Sequence, residues 1–489
     1  MRLPILPLLL TGALATSSSL PLNNANHIFN AIHASMRQWG SSIHHNGMSF
    51  FLASVPEGTR LYHGNADSNP IQEIGWMAFE PEHAMVFARP PRRGPDDDNH
   101  QQVTLGQDGE RSASGWLHTY KTTKNLRLLY IDGTSAGKSR IGTLDSQDRV
   151  VFNDTIDGGV SKEDERARKV CQLVRTEWQG RLDGAEHTGA RARDDNVERD
   201  KRGQKNKKNE HHKREKDTIE RKRPSKKPKK RQRVANELKE NKPRQKSGGV
   251  LRAITSRFNG IGGDRVRVYY DHFVTAYTFD LDLWPDESPA PRLQHISPDD
   301  LSPIRDNLIS LILEYDSNVL GSVNWQSIAD LIVARYGRFL QGLVHGKHQQ
   351  KKYEHEQQPL MDQIEHILAG FGADAEDSIS LCPSQFLSVP TENSPLAHQA
   401  LYTISDRICS TLIALRSETD NEVIQGVVRE LVGYLDWTIW KECRDCRGDE
   451  FCGIPIWPQG AQEDFERPIC RKFEEGWGGE NGYWGEIWH

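Results

Sequence analysis

Apolar side chains in residues 24–40 (NANHIFNAIHASMRQWG) recur at helical spacing, which predicts a helix ended by Gly40. The next stretch, SFFLASVPEGTRLYHG, breaks into two short β-rich runs around Pro56-Glu57-Gly58, read as two strands and a turn. GWLHTYKTTKNLRLLYIDG (115–133) reads as a hairpin whose second arm, LRLLYID, is apolar enough for a buried strand. Residues 264–284 (DRVRVYYDHFVTAYTFDLDLW) alternate and are rich in β-branched and aromatic residues, predicting two more strands. From Ser297 onward the period becomes helical, in SPDDLSPIRDNLISLILEYDSNV, NWQSIADLIVARYGRFLQGLVHG and HQALYTISDRICSTLIALRSE. In TDNEVIQGVVRELVGYLDWTIWKEC, Thr419 and Glu422 have the spacing of a capping box before an apolar face. The pattern predicts an α+β fold with an N-terminal mixed sheet domain, a helical C-terminal region and a disulfide-rich C-terminal cap.

Charge changes that picture in one place. Residues 191–246 hold 24 Lys and Arg against 10 Asp and Glu, so the window carries +14 and the rest of the chain, at −5 overall, carries −19. The window has almost no apolar content to offset the entropy of ordering and is expected to be a disordered basic insert, 191–248. Strand patterns on both sides place it inside one sheet domain (16–190 and 249–295), followed by the helical region 296–440 and the cap 441–489. KRPSKKPKKRQR resembles a nucleic-acid patch in charge, but it lacks the aromatics that stack on bases. Nucleic acid is therefore not the expected partner; the reading is a solvated loop that touches the acidic body or anionic wall polymers, and the sequence names no partner.

The first residues, MRLPILPLLLTGALATSSS, combine Arg2, a short apolar run and the small-x-small site Ala13-Leu14-Ala15. That is the pattern of a cleaved secretory signal, 1–15, and predicts an exported, extracellular protein with no membrane attachment after cleavage. Seven cysteines agree with an oxidising compartment. Cys443, Cys446, Cys452 and Cys470 lie in a Trp-rich block, spaced C-x2-C-x5-C-x17-C, and this is read as a disulfide frame rather than a zinc site. Cys382 and Cys409 form the natural second framework, which leaves Cys171 over. Asn153-Asp154-Thr155 is a glycosylation candidate. YIDGTSAGKS falls a residue short of a phosphate loop and is read as a turn after a buried strand, and His345, His348 and His355 lack the carboxylate placement of a zinc-protease helix. No metal is expected.

Arg60-Leu61-Tyr62-His63-Gly64 followed by WMAFEPEHAMVFAR resembles two motifs of the ADP-ribosyltransferase fold. The resemblance implies NAD as cofactor, with His63 on the ribose hydroxyls, Gly64 on the nicotinamide amide and Phe79 or Phe87 stacked on the nicotinamide ring. Asn65 stands where that family has Ser or Thr, and the strand acids in range are Asp271, Asp280 and Asp282 rather than a Glu. Across most of the chain outside the insert, the pieces VPEGTRLYHG, AFEPEHAMVFARP, LRLLYIDGTSAGKSRIGTLDSQD, DHFVTAY and CRDCRGDEFCGIPIWP resemble an uncharacterised secreted family of filamentous fungi. No activity comes with that resemblance, and the lysine-rich insert is the main departure from it. The expectation is an extracellular or wall-associated binding or structural protein, with no cofactor. The alternative is an NAD-dependent ADP-ribosyltransferase-like enzyme, active or not, working through His63 and Gly64.

Overall fold

The computed structural model describes residues 22–71, 74–88, 115–156, 159–186, 191–193, 197–199, 265–314, 323–345, 359–372, 375–473 and 482–485. The fold is α+β, and the chain divides into two compact units. One, the helical unit, comprises residues 1–33, 270–272 and 321–440; the other, the sheet unit, comprises 34–269, 273–320 and 441–489.

The centre of the sheet unit is a four-stranded sheet of order β6-β5-β1-β9. Strand β1 (Asn46–Val55) is antiparallel to β5 (Leu126–Gly133) and to β9 (Arg267–Thr275), and β6 (Gly184–Glu186) runs parallel to β5. Phe50, Phe51, Leu52, Leu128, Leu129 and Ile131 are buried, which is why both central strands are continuous apolar runs rather than alternating ones. A second sheet has the order β2-β4-β8, from Arg60–Asn65, Trp116–Thr122 and Val197–Arg199. Strand β3 (Ile74–Trp76) pairs with β7 (Arg191–Arg193).

Three local expectations are corrected here. β4 and β5 do not form a hairpin: the segment β1-turn-β2 pairs as a whole with β4-turn-β5, so Val55 faces Leu126 in one sheet and Arg60 faces Lys121 in the other. The two corners bond to each other, Gly58 N to Thr122 O at 3.0 Å and Thr122 Oγ1 to Pro56 O at 2.7 Å, and Gly58 takes a φ of +83°. The ribbon therefore bends at one point and serves two sheets. Residues 264–284 give one strand, not two, because Thr275 Oγ1 accepts from Tyr277 N and turns the chain into a helical turn at Ala276–Thr278. The N-terminal helix is two helices, α1 (Ala25–Ala34) and α2 (Gln38–Ile43), broken at Met36 with φ +59°. Gly40 lies inside α2, where a Cβ would stand 2.8 Å from Ala34 Cα.

Within the basic window, β7 and β8 are strands, so those six residues depart from the expected disorder; 187–190, 194–196 and 200–264, with the rest of the expected insert, lie outside the described residues. Helix Pro298–Leu313, expected at the head of the helical region, belongs to the sheet unit, and α1 up to His33 belongs to the helical one. The cap also belongs to the sheet unit: Trp39 and Ile43 of α2 pack with Ile454 and Ile456. Cys443–Cys452 and Cys446–Cys470 close it, the second next to the β10–β11 pair (Glu450–Gly453 and Ile469–Lys472).

The helical unit is built from α1 and helices Trp325–His345, Leu360–Leu368, Ala375–Leu381, Leu396–Ala414 and Asn421–Leu435. Cys382–Cys409 links the third and fourth of the last five, as expected, and Tyr336 Oη lies 3.7 Å from Cys382 Sγ while accepting from Gln385 Nε2. Asn26 and Asn30 of α1 donate to Tyr434 O and Leu435 O, satisfying carbonyls that the end of the last helix leaves open. That helix starts at Asp420, whose Oδ1 accepts from Glu422 N at 2.8 Å, so Asp420 and not Thr419 is the cap. Among the described residues no helix is long and apolar enough to cross a membrane.

Candidate functional site

The residues singled out by sequence gather where β2, β4 and the short helix α3 (Pro81–Met85) meet. Tyr62 bridges to Ala78, which brings the segment after β3 alongside β2. Gly64 faces α3, and a Cβ there would overlap the Ala84 carbonyl and stand 2.9 Å from Ala88 N. Glycine is required at this position by close backbone approach.

His63 is half-buried, and its Nδ1 donates to Trp76 O at 2.7 Å. Desolvation holds its pKa below the ordinary value, against the Trp76 carbonyl that favours the charged ring, and His118 adds to the lowering. His118 lies directly across the β2–β4 ladder, in register with His63, and the ring centres are 6.2 Å apart. It is 1 % exposed. Its Nε2 donates to Asp67 O at 2.9 Å and to Asn65 Oδ1 at 3.2 Å. Tyr120 Oη accepts from Ile71 N, so His118 and Tyr120 pin the 65–71 loop from one strand face.

Phe79 and Phe87 have opposite environments. Phe79 is buried, with the Arg265 guanidinium 5.4 Å over its ring, and Arg265 also pairs with Glu80 at 3.2 Å. Phe87 is 53 % exposed and meets the Trp76 ring edge-on at 4.9 Å. Met85 is exposed at the end of α3, and Trp116 and Leu117 are exposed at the start of β4. Of the three acids, Asp271 accepts from Trp325 Nε1 within the helical unit, and Asp282 lies 3.8 Å from His295. Asp280 is exposed. No carboxylate among the described residues hydrogen-bonds His63.

Two buried polar groups of the sheet unit were not legible in the sequence. His45 Nδ1 donates to Asn46 Oδ1 at 2.6 Å, and Asn46 is oriented by donating to Ile141 O and Pro291 O. His45 Nε2 therefore accepts from Tyr483 Oη at 2.7 Å, inside a ring of Phe465, Tyr483 and Trp484. Burial pushes its pKa down to about 4. Asp132, at the end of β5, is buried and accepts from Ser49 N at the β1 irregularity; burial pushes its carboxyl up to about 7.

Cys443, Cys446 and Cys470 lie close enough to share an ion, but each is in a disulfide and offers no thiolate. Cys171, on α4 (Glu163–Arg175), is the free cysteine. Asn153 is exposed, and its side-chain oxygen accepts from Arg305. His345 ends its helix, while His348 and His355 lie outside the described residues.

Residues 17–104, which contain His63, Gly64, Phe79 and Phe87, match the family described as the YPL277C N-terminal domain. The chain is 31 % identical over 147 residues to the uncharacterized protein YPL277C of Saccharomyces cerevisiae, a match covering 26 % of this chain and 30 % of that one. It is 32 % identical over 146 residues to the uncharacterized protein YOR389W of the same yeast, covering 26 % of this chain and 23 % of that one. The match thus spans less than a third of either relative's length. These similarities support kinship with an uncharacterised fungal protein family. No solved structure matches.

Proposed function

We propose that the protein is exported and acts as an extracellular or wall-associated binding protein, with its ligand face at the β2–β4–α3 corner. One observation carries this reading. Phe79 is buried and no carboxylate among the described residues bonds His63, while Phe87 stays exposed against Trp76, Met85 is exposed on α3, and Trp116 and Leu117 are exposed at the start of β4. Exposed aromatic faces suit the flat, half-apolar rings of a polysaccharide. The +14 window would add attraction to anionic wall polymers, screened by salt. The three disulfides support an oxidising compartment. The test is retention on insoluble β-glucan, chitin and an acidic wall polysaccharide. Trp116→Ala and Phe87→Ala are each expected to cut retention about tenfold without unfolding the protein. Folded wild-type protein that is not retained on any of the three would end this reading.

The second reading is the NAD-dependent transferase. What supports it is that His63 Nε2 makes no hydrogen bond among the described residues and that an exposed aromatic, Phe87, packs on Trp76, whose carbonyl anchors His63. What it lacks, among the described residues, is a carboxylate bonded to His63. NAD hydrolysis that disappears in His63→Ala would favour it over the binding protein.

A further inference from the structure

His63 and His118 share an arrangement that the pinning of a loop does not require. A carbonyl oxygen can only accept, so the Trp76 carbonyl fixes the proton of His63 on Nδ1 and leaves the lone pair of the neutral ring on Nε2. In the same way the Asp67 carbonyl fixes the His118 proton on Nε2 and leaves Nδ1 as the lone-pair nitrogen. Nδ1 of His118 is buried and has no hydrogen-bond partner. A buried ring nitrogen without a partner is a cost that a fold ordinarily removes. Two rings in cross-strand register, each anchored through one nitrogen to a backbone carbonyl and each with the other nitrogen unused, match the way metal-ligating histidines are oriented by their outer partners.

We infer that His63 Nε2 and His118 Nδ1 form a two-histidine site for a borderline-soft divalent transition-metal ion, Zn²⁺ or Cu²⁺. Imidazole nitrogen suits these ions. With metal–nitrogen bonds of about 2.0–2.1 Å, a ring centre lies about 3 Å from the ion, so two rings sharing one ion have centres up to about 6 Å apart. The observed 6.2 Å lies just beyond that limit, so an ion shared by both rings requires the half-buried His63 side chain to swing toward His118 and loosen its bond to Trp76 O. Burial lowers the His63 pKa and so favours the neutral ring that a ligand must be. Two protein ligands leave positions open for water or for an oxygen donor of a bound molecule, reached from the His63 side.

The test uses the full chain, stripped with chelator and titrated with Cu²⁺ and Zn²⁺. His63→Asn keeps an N–H where Nδ1 stood but removes Nε2; His118→Gln keeps the N–H that holds Asp67 O but removes Nδ1. One ion per chain is expected, with affinity falling at least tenfold in each variant. The Cu²⁺ electron-paramagnetic spectrum should show coupling to two imidazole nitrogens in the wild type and one in each variant. Absence of a one-ion step in the wild type overturns the inference. So does an unchanged step in His63→Asn, which decides the matter if His118→Gln does not fold.

Discussion

Burial of His45 makes stability of the sheet unit depend on pH, with a sign and size that follow from the lost hydration of its charged form. The folded-state pKa is about 4 against an ordinary 6.5. The unfolded chain therefore binds the proton first, so the contribution of neutral His45 is complete above about pH 6.5 and is lost as pH falls toward 4. A shift of about 2.5 units at about 1.36 kcal/mol each amounts to about 3 kcal/mol. Asp132 titrates over an overlapping range with opposite sign, so the wild-type curve alone does not isolate His45. The comparison is with His45→Asn, which keeps an N–H for Asn46 and loses the titrating ring. Free energies of opening, read from hydrogen exchange of β1 peptides in denaturant, are measured for both proteins between pH 4 and 7. The wild type is expected to lose about 3 kcal/mol relative to the variant across that range. A difference that stays constant within about 0.5 kcal/mol would refute the assignment of a buried neutral His45.

Asp132 gives the mirror-image result: its folded pKa is raised to about 7, so stability falls as pH rises from about 4 through 7, and Asp132→Asn should remove that loss, by about 4 kcal/mol, in the same exchange assay. Gly64→Ala places a methyl against the Ala84 carbonyl; a loss of about 1–3 kcal/mol and faster exchange in α3 are expected, and wild-type stability would contradict the close approach. Replacing Cys382 and Cys409 by Ala opens a loop of separation 27 and should cost the helical unit about 3–4 kcal/mol by calorimetry. Thiol titration of unfolded, unreduced protein should find one free cysteine, Cys171; finding more would contradict the three disulfides.

Much of the local architecture followed from the sequence alone. The apolar runs of β1 and β5, the strand ending in His63-Gly64 and the helices after Ser297 are set by short-range pattern, which the chain carries residue by residue. Cys382–Cys409 was legible because the cap claimed four of the seven cysteines and these two sit on a loop and the helix that follows it, which left Cys171 over. Pairing was not. Whether β4 folds back on β5 or runs beside β2 depends on where two corners meet, and Thr122 and Pro56 are distant in sequence. For the same reason nothing in the chain places His118 opposite His63, or brings Tyr483 to His45 across most of its length. Burial decided the rest: His45, Asp132 and Phe79 look like ordinary surface or ligand residues in sequence, and become structural groups when tertiary packing removes water from around them.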